Sequence, residues 1–246
     1  MNNYLLKIEY DGSYFVGWQK QKNGLSVQET IEKAIKKILK KKIKLVASGR
    51  TDKGVHAKAQ HANFIVNLKI ENKQKFLNSL NFFLGRYLIS VVDIKRKSLK
   101  FNSRYFAKER TYEYKIINRL GSLSLEKNKA WHIKTKLDLR LIKKGAKILE
   151  GTHDFSTFRS SSCSAKSPIK KLNSVRVKKV GDEILITFKS KSFLQNQVRS
   201  MVGSLKYLSV KKWDLAKFNK VLKSKNRNLC APPAPAHGLY LKNVIY

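Results

Sequence analysis

One short segment combines the residue types and spacing of a reactive site. SGRTDKGVHA (48–57) places Asp52 between Arg50 and Lys53, in a chain of 246 residues with 16 acidic and 53 basic side chains. We expect the neighbouring positive charges to keep Asp52 ionised at neutral pH, ready to act as a nucleophile. The flanking glycines let the backbone bend sharply and let a bulky ligand approach. The same residues also suit an ordinary surface turn, so the segment alone leaves both interpretations open.

Two further side chains are candidates for binding, and each has a plain structural alternative. Tyr112, in the strand-like RTYEY, is either a core aromatic or a platform that stacks on an unpaired base. Arg199, in FLQNQVRSMVG, borders the buried face of a predicted helix. A half-buried arginine needs a carboxylate or phosphate acceptor, unless it extends along the surface to reach water. Arg104 and Arg110 are candidate phosphate contacts.

Several kinds of cofactor site are not indicated. The sequence has neither a GxxxxGK[ST] loop nor a GxGxxG segment after a strand, so nucleotide and dinucleotide binding are not predicted. His56 and His61 are poorly spaced for a metal pair. Cys163 and Cys230 are far apart, which indicates neither a disulfide framework nor a zinc site. We therefore expect no metal and no small-molecule cofactor.

The net charge of +37 and the pI of about 10.3 favour a polyanionic partner. Nucleic acid is the first candidate because Lys and Arg contacts to phosphates release counterions. Alternatively, a genome base composition that favours lysine codons could account for the excess of basic residues. An anionic membrane is less favoured, since no basic amphipathic helix stands apart from the folded pattern. No apolar run approaches the ~20 residues of a membrane span, and the N-terminus lacks a signal-peptide pattern. We expect a cytoplasmic protein.

Alternating strand and helix patterns must position these residues. In the first half, Ser26 to Glu29 form a capping box that opens a helix, and a short strand leads directly into the Asp52 segment. The predicted strands are centred on Leu6 to Tyr10, Ile43 to Ala47, Ala62 to Leu68 and Leu88 to Ile94, and a second helix on Phe76 to Leu84. We place a boundary in the basic stretch before residue 104, which predicts domains 1–103 and 104–246.

The second half repeats this alternation. Gly181-Asp182 predicts the turn of a hairpin, residues 155–171 a polar, mobile loop, and APPAPAHG (231–238) a rigid extended segment. The other predicted elements are strands at Thr111 to Ile117 and Leu239 to Ile245, and helices at Leu139 to Leu149, Leu194 to Leu205 and Leu215 to Leu222. The pattern predicts an α+β fold with antiparallel sheets flanked by helices.

GRTDKGVHA resembles the catalytic signature of the tRNA pseudouridine synthase A family. Further blocks resemble the family in the family's order and extend the likeness over most of the chain. They are YDGSYFVGWQ (10–19), SVQETIEKAI (26–35), FNSRYFAKERTYEY (101–114), GTHDFSTF (151–158), FLQNQVRSMVG (193–203) and APPAPAHGLYL (231–241). One departure lies beside the reactive carboxylate, where Lys53 replaces a residue that is commonly small.

The resemblance implies a role for each candidate residue. Asp52 is the expected catalytic carboxylate, acting as a nucleophile or as a base on the ribose. Tyr112 is expected to stack on the target base, and Arg199 to pair with the aspartate. Arg50 is expected to help evict the target base from its helix and take its place. The implied fold is α+β, with two domains, each with an RRM-like (ferredoxin-like) antiparallel sheet flanked by helices, and an active-site cleft between them.

The implied activity is isomerisation of uridine to pseudouridine in the anticodon stem-loop of tRNA, at positions 38 to 40. The resemblance also implies a homodimer that needs no cofactor. A non-catalytic RNA-binding or ribosome-associated protein is the alternative, in which the charge is the function and the Asp52 segment is a turn. A glycosidase ranks below both, because it normally uses two carboxylates and no second acid accompanies Asp52 in its segment.

Overall fold

The computed structural model describes all residues, 1–246, and divides into two compact units. Unit 1 comprises Met1–Lys108 and Leu241–Tyr246, and unit 2 comprises Glu109–Tyr240. The predicted domain boundary at 103/104 precedes the division between the units. The return of the last residues to unit 1 has no counterpart in the sequence pattern, because pairing between distant strands leaves no local signal.

Unit 1 is a mainly antiparallel sheet with two helices. The sheet order is β4-β1-β3-β10, and β2 pairs with β3. The elements are β1 (Asn2–Tyr10), α1 (Val27–Leu39), β2 (Val46–Ala47), β3 (His56–Val66), α2 (Lys73–Leu84), β4 (Ile89–Lys97) and, from the end of the chain, β10 (Leu239–Ile245). β1 runs antiparallel to both β3 and β4, and β2 antiparallel to β3.

Half of the predicted capping box forms at the start of α1, since the Glu29 side chain pairs with Lys20 and Lys33. The Ser26 side chain accepts a hydrogen bond from the Glu29 amide, and Lys40 ends the helix in the left-handed conformation. The buried side of α1 includes Val27, Ile31 and Ile35, which matches the predicted helical spacing. These side chains contribute to a core whose largest fully buried members in this unit are Trp18, Tyr4, Phe15, Phe64, Leu6, Ile8 and Ile31.

Unit 2 repeats the design with three helices. Its sheet order is β5-β9-β8-β7, with a short β6 running parallel to β5. The elements are β5 (Glu109–Asn118), β6 (Trp131–Ile133), α3 (Leu139–Leu149), β7 (Gly151–Asp154), β8 (Ile169–Val180), β9 (Glu183–Ser190), α4 (Gln197–Ser209) and α5 (Leu215–Lys223). The hairpin of β8 and β9 turns at Gly181-Asp182 as predicted, with Val180 opposite Glu183.

The predicted α+β class with antiparallel sheets flanked by helices is confirmed. The loop predicted over 155–171 is wrong at both ends. Phe155 and Phe158 are fully buried, the first just before and the second at the end of a short 3-10 turn at Ser156–Phe158, and β8 already begins at Ile169. The serines that indicated a loop occupy only the middle of the stretch. None of the five helices is long and apolar enough to cross a membrane.

His61 on β3 is held neutral by its surroundings. Burial, assisted by the charge of Lys7, lowers the pKa of the imidazole from 6.5 to about 4. Lys7 lies directly opposite His61 in the pairing of β1 with β3. The Nδ1 atom is buried and has no hydrogen-bond partner, which adds to the cost of protonating the ring.

This depressed pKa predicts a loss of stability in mild acid. Between pH 6.5 and 4 the unfolded chain binds a proton that the folded protein does not, so stability falls as the pH falls through this window. From pH 7 to pH 5 we expect wild type to lose about 1–2 kcal/mol more than His61→Gln, which lacks the titrating ring. Urea denaturation at both pH values measures this difference. Parallel losses in the two proteins would contradict the assignment.

Candidate active site

The base of the Asp52 loop is fixed by the neighbouring strands β2 and β3. The Ser48 amide donates to the His61 carbonyl at 2.7 Å. The Ser48 hydroxyl donates to Oε1 of Gln60 at 2.7 Å, and Nε2 of Gln60 donates to the Gly49 carbonyl at 2.8 Å. Ser48 and Gln60 are almost fully buried, so these bonds are shielded from competition with water. The chain therefore leaves the sheet in one defined direction before it reaches Asp52.

The tip of the loop is held from within and by the segment 11–18. The Val55 amide donates to the Asp52 carbonyl at 3.1 Å, which closes a tight turn around the candidate carboxylate. The Trp18 amide donates to the Thr51 carbonyl at 3.0 Å, and the Tyr10 hydroxyl lies 2.8 Å from Oγ1 of Thr51. Thr51 is 6% exposed, whereas Asp52 beside it is partly exposed. The loop therefore buries Thr51 and leaves Asp52 partly exposed.

His56 links the segment 11–18 to the residues that follow Asp52. Its ring is 2% exposed, and its Nδ1 accepts a hydrogen bond from the Gly12 amide at 3.0 Å. Oδ1 of Asp11, which lies 3.1 Å from the same nitrogen, accepts a hydrogen bond from the Ser13 amide. The sequence pattern gave His56 no role. Its structural role follows from a partner 44 residues earlier in the chain, which periodicity does not reveal.

Gly17 is required where this segment meets the loop. Its φ is +120°, and a Cβ atom there would lie 2.8 Å from the Thr51 carbonyl oxygen. The same segment is hydrogen-bonded to the start of α1. The Gly17 and Trp18 carbonyls accept from the Val27 and Gln28 amides at 3.2 and 3.0 Å. The Asp52 loop is thus supported by β3 on one side and by the 11–18 segment, joined to α1, on the other.

The cationic neighbours of Asp52 lie at the surface. Arg50 and Lys53 are both exposed, so their side chains can reach an approaching polyanion.

Arg104, a candidate phosphate contact, is also exposed, and its guanidinium lies 5.8 Å from the Tyr105 ring centroid. Arg110, by contrast, is 8% exposed and donates through Nη1 to the Lys191 carbonyl. This burial argues against Arg110 as a phosphate contact and favours a structural role in unit 2.

In unit 2, Tyr112 lies on β5 opposite Phe188 of β9. It is 8% exposed, and the Phe193 ring packs edge-on against it with centroids 5.1 Å apart. Tyr112 is therefore packed largely as a core aromatic.

Two residues further along the strand, the Tyr114 hydroxyl donates to the Pro235 carbonyl at 2.7 Å. Burial raises the pKa of Tyr114 far above its usual value, and the positive charge of Arg199 opposes this rise.

Arg199 lies in the first turn of α4 and is partly exposed. Its Nε donates to the Ala234 carbonyl at 2.7 Å, and its Nη1 donates to Oδ1 of Asn196 at 3.0 Å. Within unit 2 the expected carboxylate or phosphate acceptor is thus replaced by two neutral oxygens. They orient the guanidinium without neutralising it, so its charge remains available to an anion.

The proline-rich segment 231–238 supports Arg199 from behind. The Ala234 amide donates to the Arg199 carbonyl at 2.9 Å. Gly203 permits the close approach of the segment to α4, since a Cβ there would lie 2.0 Å from the Pro232 carbonyl oxygen. Residues 231–235 form neither helix nor strand, as the prolines predict. The extended conformation predicted for 231–238 is wrong at its end, where Ala236–Gly238 form a 3-10 turn. No group of three or more His, Cys, Asp or Glu side chains is placed to hold a metal ion.

Comparison with known proteins assigns the chain to a family. A family model described as tRNA pseudouridine synthase matches residues 7–105 and 146–246. The tRNA pseudouridine synthase A of Pelagibacter ubique (strain HTCC1062) is 57% identical over 246 residues, which cover 100% of both chains. The chain belongs to the tRNA pseudouridine synthase family. Proteins of the same name from Caulobacter sp. (strain K31) and Beijerinckia indica are 43% and 44% identical, over 100% of this chain and 98% and 94% of theirs.

The family match covers most of the residues predicted to form the site. Asp52, Arg50 and Arg199 lie within the two matched ranges, and Tyr112 lies between them, in a part of the chain that the full-length relatives cover. The pseudouridine synthase blocks at 10–19 and 231–241 have structural roles in this chain. The first holds the Asp52 loop and the second holds Arg199. Neither role was predicted from the sequence.

The backbone requirement at Gly17 gives a direct test of the support for the loop. We expect Gly17→Ala to lower the free energy of unfolding by about 1–3 kcal/mol, because alanine is strained at a positive φ and its Cβ meets the Thr51 carbonyl. Gly121→Ala is the matched control, since nothing lies within 4 Å of its added Cβ. Urea denaturation measures both changes. Equal stability of the two variants would contradict the close packing described here.

Proposed function

We propose that this protein isomerises uridine to pseudouridine in tRNA, with Asp52 as its catalytic carboxylate. The observation that carries the proposal is the construction of the Asp52 loop in a chain of this family. Asp52 is partly exposed, whereas Thr51 and Val55, on either side of it, are buried and hydrogen-bonded. Catalytic groups need this kind of fixed placement, because small displacements of reacting groups cost large factors in rate.

The reaction requires few chemical groups. The bond from ribose C1′ to N1 of uracil breaks, the base turns, and a new bond forms from C1′ to C5. C5 then loses its proton, and N1 gains one, so no atoms or electrons are added overall. An ionised carboxylate beside the ribose can attack C1′ as a nucleophile or remove a proton from the sugar as a base. Asp52 supplies that carboxylate in the proposal.

Three side chains assist Asp52 in the proposal. Arg199 pairs with the carboxylate and keeps it charged and oriented, which its oriented and un-neutralised guanidinium supports. Tyr112, which is 8% exposed, contacts the target base. Arg50, which is exposed on the same loop as Asp52, displaces the target base and takes its place in the RNA helix.

The charge of the chain supports an RNA substrate. At most 16 of the 53 basic side chains can have a carboxylate partner of their own within the chain. The remainder favour binding of a polyanion and help to offset the few kcal/mol that extrusion of a base requires. We further propose a cytoplasmic homodimer that acts on positions 38 to 40 of the anticodon stem-loop. These last points rest on family resemblance.

Replacement of one carboxylate oxygen tests the assignment of Asp52. We expect Asp52→Asn to lower pseudouridine formation on a tRNA transcript by at least about 10³-fold, because the amide is neither a nucleophile nor a base. Binding of the transcript should stay within a few-fold, since the phosphate contacts are unchanged. Carbodiimide labelling followed by primer extension detects the product, and a filter-binding assay measures affinity.

Asp182→Asn is the matched control for this experiment. Asp182 is an exposed carboxylate in the β8–β9 turn, 3.8 Å from Arg119, and its replacement should leave activity unchanged. Full activity of Asp52→Asn would show that Asp52 is not the catalytic residue. If wild type modified no uridine in any tRNA while still binding it, the protein would instead be a non-catalytic RNA-binding protein.

Salt dependence tests whether the positive charge serves RNA binding. If six or more phosphates are contacted, raising monovalent salt from ~50 to ~200 mM should weaken tRNA binding by about 10³-fold or more. The logarithm of the affinity should fall linearly with the logarithm of the salt concentration. A flat response would mean that the lysines make few phosphate contacts.

A further inference from the structure

Among the N-cap residues of the five α-helices, only Asn196 does not use its side chain to cap its helix. At the other four α-helices, the side chain at the cap position accepts a hydrogen bond from a backbone amide of the first turn. These residues are Ser26, Asn72, Asp138 and Asp214. The Asn196 side chain makes no such bond and accepts from Nη1 of Arg199 at 3.0 Å. Asn196 therefore binds Arg199 instead of a backbone amide, although asparagine is one of the preferred capping residues.

The backbone of Asn196 is consistent with this use. Its φ of 62° and ψ of −1° place it in the left-handed region, which Asn tolerates better than most side chains other than glycine. The cap residue of the other four α-helices is in an extended conformation. The entry to α4 therefore differs in both backbone and side chain, and the difference brings Oδ1 within reach of Arg199.

The guanidinium of Arg199 is held at two of its nitrogens. Asn196 binds Nη1, and the Ala234 carbonyl binds Nε at 2.7 Å. Because the guanidinium is planar, two contacts at different nitrogens fix both its position and the direction of its plane. Nη2 is left to donate to another group. Both acceptors are neutral, so the orientation is gained without loss of the positive charge.

We propose that Asn196 is a positioning residue, which orients Arg199 for its interaction with the catalytic carboxylate or the substrate. Asn196 itself touches neither the uridine nor its phosphate in this proposal. The inference rests on the function proposed above, since it assigns Asn196 a role through Arg199.

Asn196→Gly isolates the side chain, because glycine adopts the left-handed backbone without strain. We expect kcat for pseudouridine formation to fall about tenfold, because the guanidinium loses one of its two contacts. KM for tRNA should stay within about threefold, since the charge of Arg199 is retained. The melting temperature should be unchanged or slightly raised, because no capping bond is lost. If Asn196 only stabilised the fold, the melting temperature would fall and kcat would be unchanged.

A second background shows whether Asn196 acts through Arg199. Arg199→Lys keeps a positive charge but lacks the planar group that Asn196 orients. In that background Asn196→Gly should have no further effect on kcat, so the two substitutions should be strongly non-additive. An equal loss of kcat in both backgrounds would overturn the proposal.

Two controls complete the experiment. Asn72→Gly removes an asparagine that does cap its helix, by accepting from the Lys75 amide at 2.8 Å; it should lower stability slightly and leave kcat unchanged. Asn196→Asp retains an oxygen at this position but adds a negative charge beside Arg199. Because this charge neutralises the guanidinium, the variant should restore little of the activity lost in Asn196→Gly.

The outcomes separate this inference from the proposed function. If wild type is active and Asp52→Asn is inactive, but Asn196→Gly is as active as wild type, only the role of Asn196 is wrong. If wild type forms no pseudouridine, the proposed function itself fails.

Discussion

The structure depends first on the hydrogen bonds that hold the Asp52 loop at its base and at its tip. Ser48 and Gln60 fix its exit from the sheet, and the contacts of Thr51 with Tyr10 and Trp18 hold its tip. A carboxylate on a loop free to move would sample many positions and lose most of the advantage of proximity. The elements around the loop therefore act together. β3 supplies the base, and the 11–18 segment, joined to α1, supplies the support.

In unit 2, Arg199 is likewise held in place by hydrogen bonds and close backbone packing. The proline-rich segment packs so closely on α4 that Gly203 is required, and the segment supplies the Ala234 carbonyl to the guanidinium. Proline restricts the segment before folding, so little conformational freedom is lost when it packs. Asn196 completes the support with a side chain that would otherwise cap the helix. Rigidity around a charged group appears in both units, built from unrelated local structures.

Local patterns in the sequence were sufficient for most of the elements. The helix cap at Ser26, the hairpin turn at Gly181-Asp182 and the final strand each depend on neighbouring residues, and each was predicted. The buried Phe155 and Phe158 were not, because the polar residues between and after them resemble a loop. The roles of His56, Gly17 and the 231–238 segment depend on contacts with distant parts of the chain. Residue spacing carries no record of such contacts, and family resemblance names the residues without showing what holds them.

In the proposed function, Asp52 is held fixed in a strongly basic chain and isomerises uridine in tRNA. The most direct measurement is a map of pseudouridine in unmodified tRNA transcripts, incubated with the purified wild-type protein and read at single-nucleotide resolution. We expect new pseudouridine within positions 38 to 40 of the anticodon stem-loop. Transcripts that bind to correctly folded protein and yet acquire no pseudouridine at any position would contradict it.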